Sequence, residues 1–243
     1  MKSIVVGARR LPHESAGTLT PSYRESHVKL KLKILIGSTR PTRAADRVAP
    51  WVLERATAHG AFDVEVLDLR DWALPMFQEH VGTIGDFSDP TYSDPVVRQW
   101  NRTIKDSDAL LIVTPEYLHS IPGVLKNALD SVFVSFALRN KPLAAVGYSI
   151  GIAAGVRAVE HLMHVAIESE MVPLRDTVLI PKVDSAFTER GAPVDPMTEI
   201  AMTVMLDDLA WWAALLTQGR AAGELPPAAF RTRAAMAALQ EAS

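Results

Sequence analysis

The chain has 243 residues, of which 48% are hydrophobic and 22% charged, the usage of an ordinary globular protein large enough to bury a core without staples. Its formal net charge of −3 supplies no basic field for nucleic acid. The absence of cysteine excludes disulfides, thiolate zinc sites, iron–sulfur clusters and a cysteine nucleophile, and fits a cytoplasmic protein.

In chain order, residues 1–30 carry Pro12, Gly17 and Pro21 and read as an N-terminal extension with a short strand at residues 3–6. The apolar run Ile4-Val5-Val6 is too short for a signal-peptide core. Residues 32–36 form an apolar strand, followed by a turn at Gly37-Ser38-Thr39-Arg40. Val48, Val52 and Ala56 then make a helical stripe that ends at Gly60. Phe62, Val64, Val66 and Leu69 mark a second strand. Residues 70–92 are a long loop, a length more often functional than accidental.

Asp94-Pro95 starts a helix whose apolar face is Val97, Trp100 and Ile104. Residues 109–113 are apolar throughout, as in a strand covered on both faces. Helices follow over 121–133 and 153–169, strands over 143–147 and 178–180, and a closing helix over 196–219. Residues 221–243 read as an Ala-rich tail, leaving 31–220 as the domain. No stretch reaches the roughly 18–20 apolar residues of a membrane span. Residues 143–156, the nearest approach, are better explained as a strand running into a helix, so no membrane partner is expected.

Strands alternating with helices imply a doubly wound α/β fold, with a parallel sheet and helices on both faces. Ligands in such sheets sit beyond the carboxyl ends of the strands, near the switch in strand order. Three loops should therefore meet there, and they carry the unusual residues. In the first, Ser38 and Thr39 offer hydroxyls at a helix N-terminus, and Arg40 and Arg43 offer cations that suit a phosphate monoester. An ordinary polar helix cap with solvated arginines fits that loop too. It is neither a Walker loop nor a dinucleotide fingerprint. The second, Pro115-Glu116-Tyr117-Leu118, is stiffened by Pro115 and Pro122 and presents an aromatic face. The third, Gly147-Tyr148-Ser149-Ile150-Gly151, lets backbone approach a ligand closely, although Gly155 beside it also suits close helix–strand packing.

These loops, with the block Ser120-Ile121-Pro122-Gly123-Val124-Leu125-Lys126-Asn127-Ala128-Leu129-Asp130, resemble the NADPH-dependent FMN reductase family, over roughly residues 32–180. The resemblance implies a flavodoxin-like five-stranded sheet of order 2-1-3-4-5 and a bound FMN reduced by NADPH or NADH. It also implies a small-molecule acceptor such as a quinone, flavin or azo compound, and a homodimer or homotetramer. Ser38, Arg40 and Arg43, with Thr39 beside them, would hold the FMN phosphate. Pro115, Glu116, Tyr117 and Leu118 would contact the ring, and Ser149 and Gly151 its pyrimidine end. No protein acid or base is required, so no catalytic residue is assigned. Lys126, Asn127 and Asp130 are expected to be structural or interfacial. Two positions depart from the family: Leu118 replaces its usual Asn, and Ser131 its frequent Trp, which would alter an interface.

Two other readings compete. One is an FMN-binding electron carrier or sensor with little turnover. The other is an α/β hydrolase using Ser149, because Gly147-Tyr148-Ser149-Ile150-Gly151 matches the nucleophile-elbow pattern. His161 and His164 have a metal-like spacing without a third ligand and read as helix residues, Asp207 and Asp208 as solvated charge, and Trp211-Trp212 as core and interface. His119 reads as a loop residue with a possible view of substrate.

Overall fold

The computed structural model describes residues 29–80, 82–86 and 89–241, so the strand expected at residues 3–6 lies outside the described residues. The elements run β1 (Leu30–Ile36), α1 (Ala45–His59), β2 (Phe62–Asp68), α2 (Pro95–Lys105), β3 (Ala109–Pro115), α3 (Gly123–Phe133), β4 (Pro142–Tyr148), α4 (Val156–Glu168), β5 (Val172–Pro173), β6 (Val178–Ile180), α5 (Pro196–Ala222) and α6 (Ala228–Glu241). The sheet is parallel throughout, in the order β2-β1-β3-β4-β5, with β6 also on β4. This is the flavodoxin-like order.

The fifth place in the sheet differs from the single strand expected. β5 pairs with the start of β4 and β6 with its end. Pro173 has no N–H for a ladder, and such residues are confined to edges and breaks. Leu174 still donates to Leu143 O at 2.9 Å, after which the chain leaves the sheet until Val178.

Alternation along the central strands builds two cores. Ile34, Leu111, Val113, Ala144 and Val146 face α1 and α5, while Leu35, Leu110, Ile112 and Ala145 face α2, α3 and α4. Each fully buried Leu or Ile contributes about 1.5–3 kcal/mol, so the sheet is well anchored at the strands that carry the loops. The helix ends follow the sequence. Asp94 accepts from the N–H groups of Val96 (2.7 Å) and Val97 (3.3 Å), with Pro95 next to it, and Asp195 accepts from Met197 (2.9 Å). Gly60 takes the left-handed conformation, φ 84°, at the end of α1.

The C-terminal region departs from expectation twice. The Ala-rich tail contains the helix α6, which has no buried residue and touches the body through Phe230 stacked edge-on with Phe136, centroids 5.5 Å apart. α5 is long and apolar enough to span a membrane, with a window of mean hydropathy 1.4, against the expectation that no stretch reaches that length. It seats Met202, Met205, Leu206, Leu209, Ala210 and Ala213 in the core against the sheet, as a core helix does.

Candidate functional site

β1, β3 and β4 are neighbours, so the loops after Ile36, Pro115 and Tyr148 lie side by side at one sheet edge. The first loop has two unusual properties. Its Ser38, Thr39, Arg40 and Thr42 N–H groups have no backbone acceptor among the described residues. α1, which follows, has Ala44 at its N-cap and no side-chain cap. Free N–H groups and an uncapped helix N-terminus form an anion nest.

The loop is held open by charge. Arg43 is buried, and its guanidinium forms a bidentate pair with Asp68 at the end of β2, one bond being 2.6 Å. It also donates to Asp46 at 2.8 Å and to the carbonyl of Ser38. Arg70 reaches the carbonyls of Arg40 and Pro41 and the carboxylate of Asp46. Pairing with Asp68 raises the Arg43 pKa. Burial alone would push the Asp68 carboxyl up, but Arg43 and the Arg70 N–H hold it below the usual carboxylate range. Arg43 is thus turned into the protein, away from the place where it was expected to converge with Arg40 on one anion. Parallel pairing sets Asp68 opposite Ile36, so this partner follows from the register once β2 is aligned.

Arg40 remains at the surface, its guanidinium carbon 3.7 Å from the centroid of the Tyr117 ring. The Tyr117 hydroxyl lies 2.7 Å from the Ser38 hydroxyl. The aromatic face expected beside a flat ligand is therefore drawn onto the first loop, joining the first two loops through one side chain. Glu116 turns inward instead. Its buried carboxylate pairs with Arg157 and accepts the Arg157 N–H (3.3 Å), capping α4. What Glu116 leaves at the mouth is backbone.

Tyr117 and Ser120 exchange hydrogen bonds of 2.9 and 3.1 Å around Leu118 and His119, whose φ values are 49° and 62°. Positive φ at both central residues defines a type I′ hairpin turn, which favours Asn and Gly. Leu118 is therefore strained in its backbone and 100% exposed in its side chain. With Ile150, 74% exposed, it forms an apolar rim on the second and third loops.

The third loop is pinned from behind. Ser149 N–H donates to Ile180 O, Val183 N–H to Ser149 O and Lys182 N–H to Gly151 O, at 3.0–3.2 Å. A Cβ on Gly151 would meet only the Ser149 hydroxyl, at 4.0 Å, leaving open space over its backbone. Gly155 is the opposite case: φ is +83° and a Cβ would sit 2.6 Å from Tyr148 N, so that glycine serves packing. Ser149 donates to Gly151 O at 3.1 Å, and no imidazole bonds it among the described residues. His161 faces the Ser120 hydroxyl at 3.0 Å instead. The nucleophile-elbow pattern therefore lacks its base.

Two residues of the central block act elsewhere than at an interface. Asn127 is buried and holds the long loop from both ends of its amide, accepting from Phe77 N–H (2.9 Å) and donating to Pro75 O (2.8 Å). Ser131 is fully buried and bonds Asn127 O at 2.7 Å, so it does not reach the surface where an altered interface was expected. Sequence reasoning missed Asp46, which pairs with Arg43 three residues before it, and Asp68, Arg70 and Arg157, whose partners lie 24 to 41 positions away.

Taken together, a nest of loop N–H groups lies next to the second and third loops on a flavodoxin-like sheet, an arrangement suited to a ligand that carries a phosphate. The model of the NADPH-dependent FMN reductase family matches residues 30–185, and the chain belongs to that family. It is 31% identical over 154 residues to an NAD(P)H-dependent FMN reductase of Schizosaccharomyces pombe, covering 63% of this chain and 74% of the relative. It is 30% identical over 187 residues to a 2-hydroxy-1,4-benzoquinone reductase of a Burkholderia species, covering 75% and 96%. The fold is shared with the flavoenzyme FerB, an NAD(P)H:(acceptor) oxidoreductase of Paracoccus denitrificans, at TM-score 0.62 and 21% identity over 76% of this chain and 97% of that one. The protein is an FMN-dependent NAD(P)H oxidoreductase, and the nest, the open backbone at Gly151 and the donor-rich first loop fit that cofactor.

Proposed function

We propose that the protein reduces a small, flat, uncharged acceptor of the quinone type at the expense of NADPH or NADH. The observation that carries this reading is the apolar rim of Leu118 and Ile150 at the mouth of the site, with no charged side chain of its own. The benzoquinone reductase that this chain nearly spans supports the same class of acceptor. FMN, when bound, would supply the hydride-transfer chemistry between nicotinamide and acceptor.

The residues divide the remaining work. Ser38, Thr39 and Arg40 bind the phosphate through hydroxyls, free N–H groups and one surface cation. Arg43, Asp68, Asp46 and Arg70 hold that loop in shape. Pro115, Glu116, Tyr117 and Leu118 would line the ring, and Ser149 and Gly151 its pyrimidine end, where the absence of a side chain on Gly151 leaves room for close approach. Fixed N–H groups aimed at developing negative charge cost no reorganisation during reaction. No side chain acts as a dedicated acid or base.

The working form is a homodimer or homotetramer in the cytoplasm. The groove between α3 and α4, lined by Lys126, Leu129, Asp130, Phe133 and His164, supports association. Steady-state NADPH and NADH oxidation with a benzoquinone, free FMN and an azo dye tests the acceptor. Quinone should give the highest kcat/KM. An azo dye or free flavin outrunning every quinone would overturn the assignment.

A further inference from the structure

Beneath the N-terminus of α1 lies a hydroxyl whose proton has no acceptor among the described residues. Tyr148 ends β4, in register beside Pro115 of β3, and its side chain packs in the core under α1 with Ala45 and Val48. The residue is 2% exposed, and its hydroxyl proton has no acceptor among the described residues. Buried polar groups are paired in the great majority of cases, so an orphan calls for an explanation.

Its surroundings say which kind of partner is missing. The phenol lies by the N–H of Ala45, within electrostatic reach of Tyr117, Arg43 and Asp46. Burial, and then Tyr117, push its ionisation well above the ordinary tyrosine range, so it is a neutral O–H donor under all working conditions. The loop N–H groups around this point are donors too, and the Ser38 and Tyr117 hydroxyls are engaged with each other. The one nearby carboxylate, Asp46, is taken by Arg43 and Arg70. The Tyr148 backbone cannot retreat, because Gly155 is pressed against it with room for no side chain. A fixed cluster of donors whose neighbouring acceptors are already engaged suits an anion with several oxygens better than a water, which brings donors of its own.

We propose that the Tyr148 hydroxyl is a phosphate ligand, donating to an oxygen of the phosphate monoester seated at the N-terminus of α1. It would reach the phosphate from the end of β4, in the core beneath α1. This rests on the FMN reading and gives a role to Tyr148, which the third-loop motif contains without assigning it one.

The experiment uses the full chain freed of flavin, wild type and Tyr148→Phe, titrated with FMN, riboflavin and inorganic phosphate. A hydrogen bond to a charged group should be worth roughly tenfold in FMN affinity. Inorganic phosphate should weaken as well, and riboflavin should stay within about twofold. The melting midpoint of the flavin-free variant should hold or rise, since no bond is lost. FMN affinity changed by less than about twofold, or riboflavin weakened equally, overturns the proposal. So does a Phe variant that fails to fold, which would mean the hydroxyl was bonded after all. Wild type that binds phosphate but not FMN removes the flavin reading and leaves the phosphate titrations to decide on Tyr148. Wild type that binds neither overturns both.

Discussion

Replacing Asp68 by Asn tests whether the phosphate loop is held in shape by charge. The change preserves size and leaves one acceptor oxygen, but removes the negative charge facing a guanidinium whose side chain is only 4% exposed. Breaking a buried ion pair costs about 3–5 kcal/mol. Here Asp46 and the Ser38 carbonyl still accept from Arg43, and Asp68 is itself partly exposed, so about 2 kcal/mol is expected. For a chain of this size that lowers the melting midpoint by roughly 4–8 °C. The assay is thermal and urea unfolding of the flavin-free protein as a function of pH. The folded pKa of Asp68 is depressed, so its contribution is present in full above the ordinary carboxylate pKa of about 4 and lost as pH falls through the folded value. Wild type and variant should therefore differ at pH 7 and converge in acid. A midpoint change below about 1 °C at pH 7, or a gap that persists unchanged into acid, would refute the reasoning.

Leu118→Asn should raise stability by about 0.5–1 kcal/mol, because Asn tolerates φ near +50° and an exposed Leu has little packing to lose; a loss of stability in urea unfolding would contradict the strain. Asn127→Ala removes both amide bonds to Pro75 and Phe77, so limited proteolysis should cut within residues 70–92 sooner, while a twofold or smaller change in cleavage rate is the opposing result. Lys141 is buried, and its pKa is lowered to about 7, first by burial and then by Arg220. Its unfolded value is near 10.5, so stability should rise with pH between about 7 and 10.5 and be flat below, and Lys141→Met should remove that slope. Arg40→Ala should weaken FMN more than riboflavin, and Arg43→Ala should weaken both and lower the melting midpoint, measured by flavin titration and calorimetry.

The sheet order and the three loops could be read from the chain because both rest on short-range signals. Continuous apolar runs at 109–113 and 143–147, Asp-Pro and Gly at helix ends, and a contiguous family block leave little freedom. The broken fifth strand was harder to see, since Val172–Pro173 is a two-residue strand with no periodicity of its own. α6 was missed because an Ala-rich run with no buried face gives no amphipathic contrast. Side-chain commitments were the least legible. Arg43 looks like a phosphate ligand until β2 is laid beside β1 and Asp68 comes opposite Ile36. Tyr117 looks like a ring platform until the neighbouring strand brings Ser38 to its hydroxyl. Both depend on pairings between residues 25 and 79 positions apart.

The central claim is that the first loop holds FMN by its phosphate. Titration of the flavin-free protein with FMN and with riboflavin, under identical conditions, tests it most directly. The account expects one FMN per chain, bound roughly a hundredfold or more tighter than riboflavin, as several charge-assisted hydrogen bonds to a phosphate require. Equal affinity for the two flavins, or no binding of either, would contradict it.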